Sequence, residues 1–187
     1  MEYKDNILGN NTFAKLQATL LNEELPWFFI GSTAYTDQDP TQEFDFSFAH
    51  QVYKEGKVYS SLGQFLETCC LSALDNAGIT CKELWRIRLG LITATKQSIV
   101  HQPHVDYEEP HKSALIYVND TDGDTVFYKN KFVPGTIHSA EWKQSFEEDA
   151  RVTPKANRLV WFDGLQYHSS STPTQTSRRI VINFNYV

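Results

Sequence analysis

The apolar positions of the chain change period once, near residue 83, and that change divides the reading. Before it, Phe13, Leu16, Leu20 and Leu21 recur at helical spacing within residues 11 to 25, and the pattern predicts a helix capped by Asn10 or Asn11 and ended by Pro26. A second stripe, Leu62, Phe65, Leu66, Cys69, Ala73 and Leu74, predicts a helix over 61–77 with Gly78 as its stop. Trp27 to Ile30 and Phe44 to Tyr53 read as strands, the latter with Phe44, Phe46 and Phe48 on one face. After residue 83 the alternation is two-fold. Strands are expected at 84–95, 99–106, 113–119, 125–129, 151–155, 157–162 and 177–187. Asp120 to Asp124 reads as a tight turn; it resembles part of a calcium loop but lacks the distal glutamate. Glu141 to Ala150 is expected to be a short acidic helix, a candidate lid. Helices followed by many short strands imply a mainly β protein with flanking helices (α+β), a β-sandwich or jelly roll.

Composition narrows the class. The chain has 187 residues, most simply one domain: an N-terminal part, 1–83, of helices and supporting strands, and a β-rich part, 84–187. No apolar run is long enough to span a bilayer, and the start of the chain lacks a signal pattern. Three cysteines, two adjacent on the second helix, read as small buried residues and not as a disulfide framework, so a cytoplasmic, reducing setting is expected. A net charge of −6 argues against a nucleic-acid partner. Oligomeric state is not legible.

Candidate chemistry centres on His101-Gln-Pro-His-Val-Asp106. In an extended segment His104 and Asp106 point to the same side, where one metal ion can take both. Alone, they read more readily as a hydrogen-bonded pair without a metal. His168, beyond the apolar run Leu159 to Phe162 and the break at Asp163-Gly164, is the third candidate ligand. Two histidines and one carboxylate leave positions open for a co-substrate and O₂, which suits ferrous iron, whereas structural zinc closes its shell with four protein ligands. On the last strand, alternation places Arg179, Val181, Asn183 and Asn185 on one face and Arg178, Ile180, Ile182 and Phe184 on the other. Arg179 is then placed to bind a carboxylate, with Arg178 as competitor. Arg86 and Arg88 share a face that either lines a cleft or is exposed. His101 and His111 flank the centre as candidate substrate contacts; His50 and His138 read as surface residues, and the phenylalanines as core.

His104-x-Asp106, His168 and Arg179 together resemble the iron(II)- and 2-oxoglutarate-dependent oxygenases, in particular their prolyl 4-hydroxylase-like branch and its small phage and bacterial members. The resemblance covers about residues 84 to 187 and implies a double-stranded β-helix core. It implies Fe(II) on His104, Asp106 and His168, with 2-oxoglutarate on Arg179 and Tyr117. It further implies O₂ as oxidant, ascorbate as a candidate auxiliary reductant, and hydroxylation of a peptide residue or a small metabolite with release of succinate and CO₂. Collagen-type prolyl hydroxylases carry lysine where this chain has Arg179, so that substrate does not follow. The competing class is a jelly-roll module, cupin-like or virion-associated, that binds metal without turnover.

Overall fold

The computed structural model describes residues 1–32, 45–133 and 146–187. Its strands are β1 (Glu2–Lys4), β2 (Phe28–Ile30), β3 (Ser47–Lys54), β4 (Lys57–Val58), β5 (Leu84–Thr93), β6 (Lys112–Tyr117), β7 (Thr125–Lys131), β8 (Glu148–Val152), β9 (Leu159–Asp163), β10 (Gln166–Ser170) and β11 (Arg178–Tyr186). Two helices, α1 (Asn10–Leu20) and α2 (Gly63–Asn76), accompany them. The larger antiparallel sheet runs β1-β9-β6-β11-β5-β3-β2 with β4 on β3, and the smaller runs β10-β7-β8. The segment carrying His104 joins the smaller sheet through bridges Val100–Ser171 and His104–His168. This is the expected mainly β jelly roll with helices outside.

Alternation on β11 separates two environments. Ile180, Ile182 and Phe184 face outward with Ile87 and Leu89 of β5, against Leu16 and Leu20 of α1 and Leu66, Cys69, Cys70, Ala73 and Leu74 of α2. Val181 faces inward with Leu115, Tyr117, Phe127, Val160 and Phe162, between the sheets. The cysteines belong to the outer core: burial pushes the Cys69 thiol up to about 11 and Cys70 well above its ordinary value. Helix α2 closes as Gly78 adopts φ 75°, with Ile79 N–H donating to Leu74 O and Gly78 N–H to Asp75 O. No helix among the described residues is long and apolar enough to cross a membrane.

Several expectations need correction. Helix α1 ends at Leu20 and not at Pro26, and its N-cap is Gly9, whose carbonyl accepts from Phe13 N–H, with no side-chain cap. Residues 99–106 form no continuous strand, because Pro103 has no N–H to give a ladder. The expected tight turn Asp120 to Asp124 does not pair the strands on either side of it: β6 and β7 belong to different sheets, and the crossing is pinned where Asp122 accepts from the backbone N–H of Thr174, Gln175 and Thr176. Glu148 to Val152, assigned in part to a lid helix, pairs as β8 with β7; residues 134–145, His138 included, lie outside the described residues, as does Phe44. His50 is buried on β3, bonded to Pro26 O and Ser60 Oγ, and not on the surface. Phe28 and Phe29 on edge strand β2 are 61% and 64% exposed, not core.

Candidate active site

Three chain segments meet between the sheets. The backbones of His104 and His168 exchange both hydrogen bonds, His104 N–H to His168 O at 2.9 Å and His168 N–H to His104 O at 3.0 Å. That reciprocal pair sets the two rings side by side, centroids 4.6 Å apart. His168 therefore sits on a strand of its own, β10, just beyond the break after β9. Asp106, two residues on, brings its carboxylate to 4.0 Å from His168 Nε2. Ligand atoms of His104, Asp106 and His168 all lie within 4.8 Å of one another, and no other such group occurs among the described residues.

Each member is held in the state a metal requires. His104 Nδ1 donates to Gln102 O and His168 Nδ1 to Gln166 O, both at 3.2 Å, which leaves each Nε2 a lone pair. Burial lowers the pKa of both rings, His168 to about 4 with the neighbouring His104 as a second cause, so both are neutral near pH 7. Burial alone would raise Asp106; Arg86, then the two histidines and Asn185, overcome it and hold the carboxyl well below its ordinary value. Arg86 Nη2 donates to Asp106 Oδ1 at 2.5 Å, Asn183 Nδ2 to both oxygens at 3.2 and 3.3 Å, Asn185 Nδ2 to Oδ2 at 2.9 Å, and Ser113 Oγ to Oδ2 at 3.3 Å.

Register explains why these donors converge. Arg86 and Arg88 of β5 pair with Asn185 and Asn183 of β11, so all four side chains stand on the inner face beneath Asp106. The sequence places Asn183 and Asn185 on the cleft face but does not reveal their bond to Asp106. Arg86 was missed as its partner. The available signal was two charges, i and i+2, on one face of an otherwise apolar strand.

Arg179 lies further along the same face. It is 3% exposed, donates from Nη2 to Thr125 Oγ1 at 2.7 Å, and holds its guanidinium 5.6 Å from the Tyr117 ring centre. Among the described residues its Nε has no hydrogen-bond partner and no carboxylate forms an ion pair with it; the acidic charge that reaches it is that of Asp124. Burial lowers its pKa, opposed by Tyr117. Tyr117 is fully buried behind Thr125, their hydroxyls 2.7 Å apart. Gly123 packs against this arginine, since a Cβ there would stand 3.2 Å from Arg179 Cδ and 2.7 Å from Ser171 O. Arg178 turns the other way, its Nη2 3.4 Å from Leu21 O at the end of α1.

One cavity of about 90 Å³, room for several waters, is lined by His104, Asp106, His168, Thr125, Arg179 and Arg88 among others. His101 and His111 are not in its lining. His101 Nδ1 meets Ser170 Oγ at 2.9 Å, and His111 stacks on Trp85 over Gly164, where a Cβ would lie 2.2 Å from the imidazole.

The sequence matches no family model and no curated protein. Solved structures do match. A prolyl-4-hydroxylase from Pseudomonas putida superposes with a TM-score of 0.59 at 14% identity, over 99% of this chain and 91% of that one. The epimerase SnoN of nogalamycin biosynthesis, described as non-heme and alpha-ketoglutarate dependent, gives 0.64 at 15% over 99% and 77%. HygX from Streptomyces hygroscopicus, solved with nickel, 2-oxoglutarate and hygromycin B, gives 0.63 at 12% over 98% and 81%. The fold is that of the 2-oxoglutarate–Fe(II) oxygenases. In this oxygenase fold the buried His-Asp-His cluster and Arg179 share the cavity between the two sheets.

Proposed function

We propose that the protein is an Fe(II)- and 2-oxoglutarate-dependent dioxygenase that hydroxylates a C–H bond of a peptide residue or a small metabolite. One observation carries the reading: a buried arginine with no carboxylate ion-pair partner among the described residues opens on the same cavity as two neutral imidazoles and the ionised carboxylate of Asp106. A guanidinium in that setting is stabilised by an oxyanion from outside the chain. The donor set fits the metal. Two imidazole nitrogens and one carboxylate, with no cysteine nearby, suit a non-haem ferrous ion with open positions.

In this reading His104, Asp106 and His168 hold the metal, and the far carboxylate of 2-oxoglutarate sits on Arg179, with Thr125 and, behind it, Tyr117 completing the polar end. Bound iron supplies the chemistry that uses O₂ to convert 2-oxoglutarate to succinate and CO₂ and to place the second oxygen atom on the substrate carbon. The chain itself orients and shields. Asn183, Asn185 and Ser113 fix the plane of Asp106, Arg86 keeps it ionised, and Gln102 and Gln166 fix the histidine tautomers. The apolar walls Leu91, Leu115 and Val181 keep bulk water from the reacting end. Neighbours of this fold were solved with a peptide fragment or with hygromycin B, which supports both substrate classes.

The test is anaerobic titration of the protein with Fe(II) and then 2-oxoglutarate, following the weak visible charge-transfer band, with His168→Ala alongside. A band in wild type alone, with succinate formed on admitting O₂, is expected. Metal uptake with neither band nor succinate favours the alternative of a non-catalytic metal-binding jelly roll.

A further inference from the structure

Three guanidinium groups belong to this cavity region, and the proposed function employs two of them. Arg86 is paired with Asp106, and Arg179 awaits one carboxylate. Arg88 remains. It is half-buried on the inner face of β5 and lines the cavity together with His104, Asp106 and Gly90. It makes no hydrogen bond or ion pair with the described residues; the charges that reach it are those of Arg86 and, at longer range, Asp106. Its cross-strand neighbours are committed elsewhere. Gln51 of β3 gives its amide to the carbonyls of Tyr53 and Ile87, and Asn183 of β11 gives its amide to Asp106.

The space beside Arg88 is open by construction. The next residue on its face is Gly90, which puts no side chain beside it; a Cβ there would already touch Val181 at 3.4 Å. Arg179 pairs in register with Ile92, four residues beyond Arg88, about 13 Å along the strand. The two guanidiniums also look to different surroundings, Arg179 to Thr125 and Tyr117, Arg88 to the triad end. One carboxylate cannot serve both.

We propose that Arg88 is a second oxyanion-binding residue of the cavity, taking a carboxylate or similar group at the triad end while Arg179 takes another at the far end. The arginine fork matches such a group in two parallel hydrogen bonds. That group is either the keto-acid carboxylate of 2-oxoglutarate or an acidic group of the primary substrate. The inference rests on the oxygenase reading for the carboxylate on Arg179 and for 2-oxoglutarate as a source at Arg88, and not for the anion subsite itself.

The experiment uses the full chain loaded with redox-silent Zn(II), so no turnover is needed. Calorimetric titration with 2-oxoglutarate is run on wild type, Arg88→Gln and Arg88→Lys, and crystals with and without 2-oxoglutarate are soaked in bromide for anomalous scattering. A tenfold or greater loss of affinity in Arg88→Gln, partly restored in Arg88→Lys, supports the proposal with the co-substrate as source. Unchanged 2-oxoglutarate affinity with bromide on Arg88 in the wild-type complex, and none in Arg88→Gln, supports it with the substrate as source. Unchanged affinity and no bromide at Arg88 in any crystal overturns it. Bromide on Arg88 in a wild type that binds no 2-oxoglutarate would sink the oxygenase reading and leave the anion subsite standing.

Discussion

The two faces of β11 show how one strand serves two purposes. Its outer face, Ile180, Ile182 and Phe184, is fully buried among aliphatic side chains of β5, α1 and α2 and contains nothing that needs a partner. Its inner face carries the buried Arg179 and Asn185 and the half-buried Asn183, yet among the described residues Arg179 Nε, Asn183 Oδ1 and Asn185 Oδ1 have no hydrogen-bond partner, and neither does Arg86 Nε on the adjoining strand. Such orphans are costly in a core. Their concentration on one face teaches that the outer side holds the sheet together, whereas the inner side carries polar atoms that the described residues do not satisfy.

The comparison breaks if changes on the two faces have similar consequences. Arg179→Ala is expected to weaken 2-oxoglutarate binding by about 2–5 kcal/mol, roughly 30- to several-thousand-fold, with metal affinity kept. Calorimetry on the Zn(II)-loaded protein measures it, and Arg178→Ala, altering a group that faces α1, should leave the affinity unchanged. The mirror case is Leu66→Ala in the outer core, expected to cost about 2–5 kcal/mol of stability in denaturant titration without changing either affinity at low temperature.

A smaller effect sharpens the picture. Asn185 donates to Asp106 Oδ2 and to Ser113 Oγ, both at 2.9 Å. Replacing it with alanine frees the carboxylate to turn and should lower metal affinity by about 10–100-fold, read by competition with a chelating dye. Unaltered metal affinity would show that Arg86 and Asn183 suffice to hold Asp106.

The smallest effect lies far from both faces. Asp5, beside β1, accepts from Arg158 and Lys155, and the Arg158 hydrogen bond, against modest burial, lowers its pKa from 3.8 to about 2. The folded-state pKa is depressed, so the stabilisation is present above pH 4 and lost as pH falls from 4 to 2. The melting temperature of Asp5→Asn should lie slightly below wild type at pH 7, and the gap should close across that window. A gap that persisted at pH 2 would show that the pair is not its origin.

Local pattern carried much of this outcome. The stripe of α2, its stop at Gly78 and the alternation of β11 are properties of short segments, and each survives in the structure because period and burial agree. Local pattern failed where a partner from elsewhere decided the matter. His168 lies beyond the Asp163-Gly164 break as expected, but no strand was expected there, and β10 forms because its backbone pairs with His104, sixty-four residues earlier (168 − 104). Asp120 to Asp124 read as a tight turn between neighbouring strands, yet it crosses between sheets, with the Asp122 carboxylate held by the backbone at residues 174–176.

By itself, then, the sequence determined residue types and candidate faces: which histidines and carboxylate could share a metal, and an alternation that favoured Arg179 for the polar face while leaving Arg178 as competitor. Register between distant strands is a tertiary property, since it depends on which apolar faces pack against each other. Only that register set Arg86 against Asp106, buried Arg179 beside Thr125, moved His111 onto Trp85 and left Arg88 facing the cavity. Charged groups acquire their meaning from what is buried beside them, and burial is decided by the whole fold.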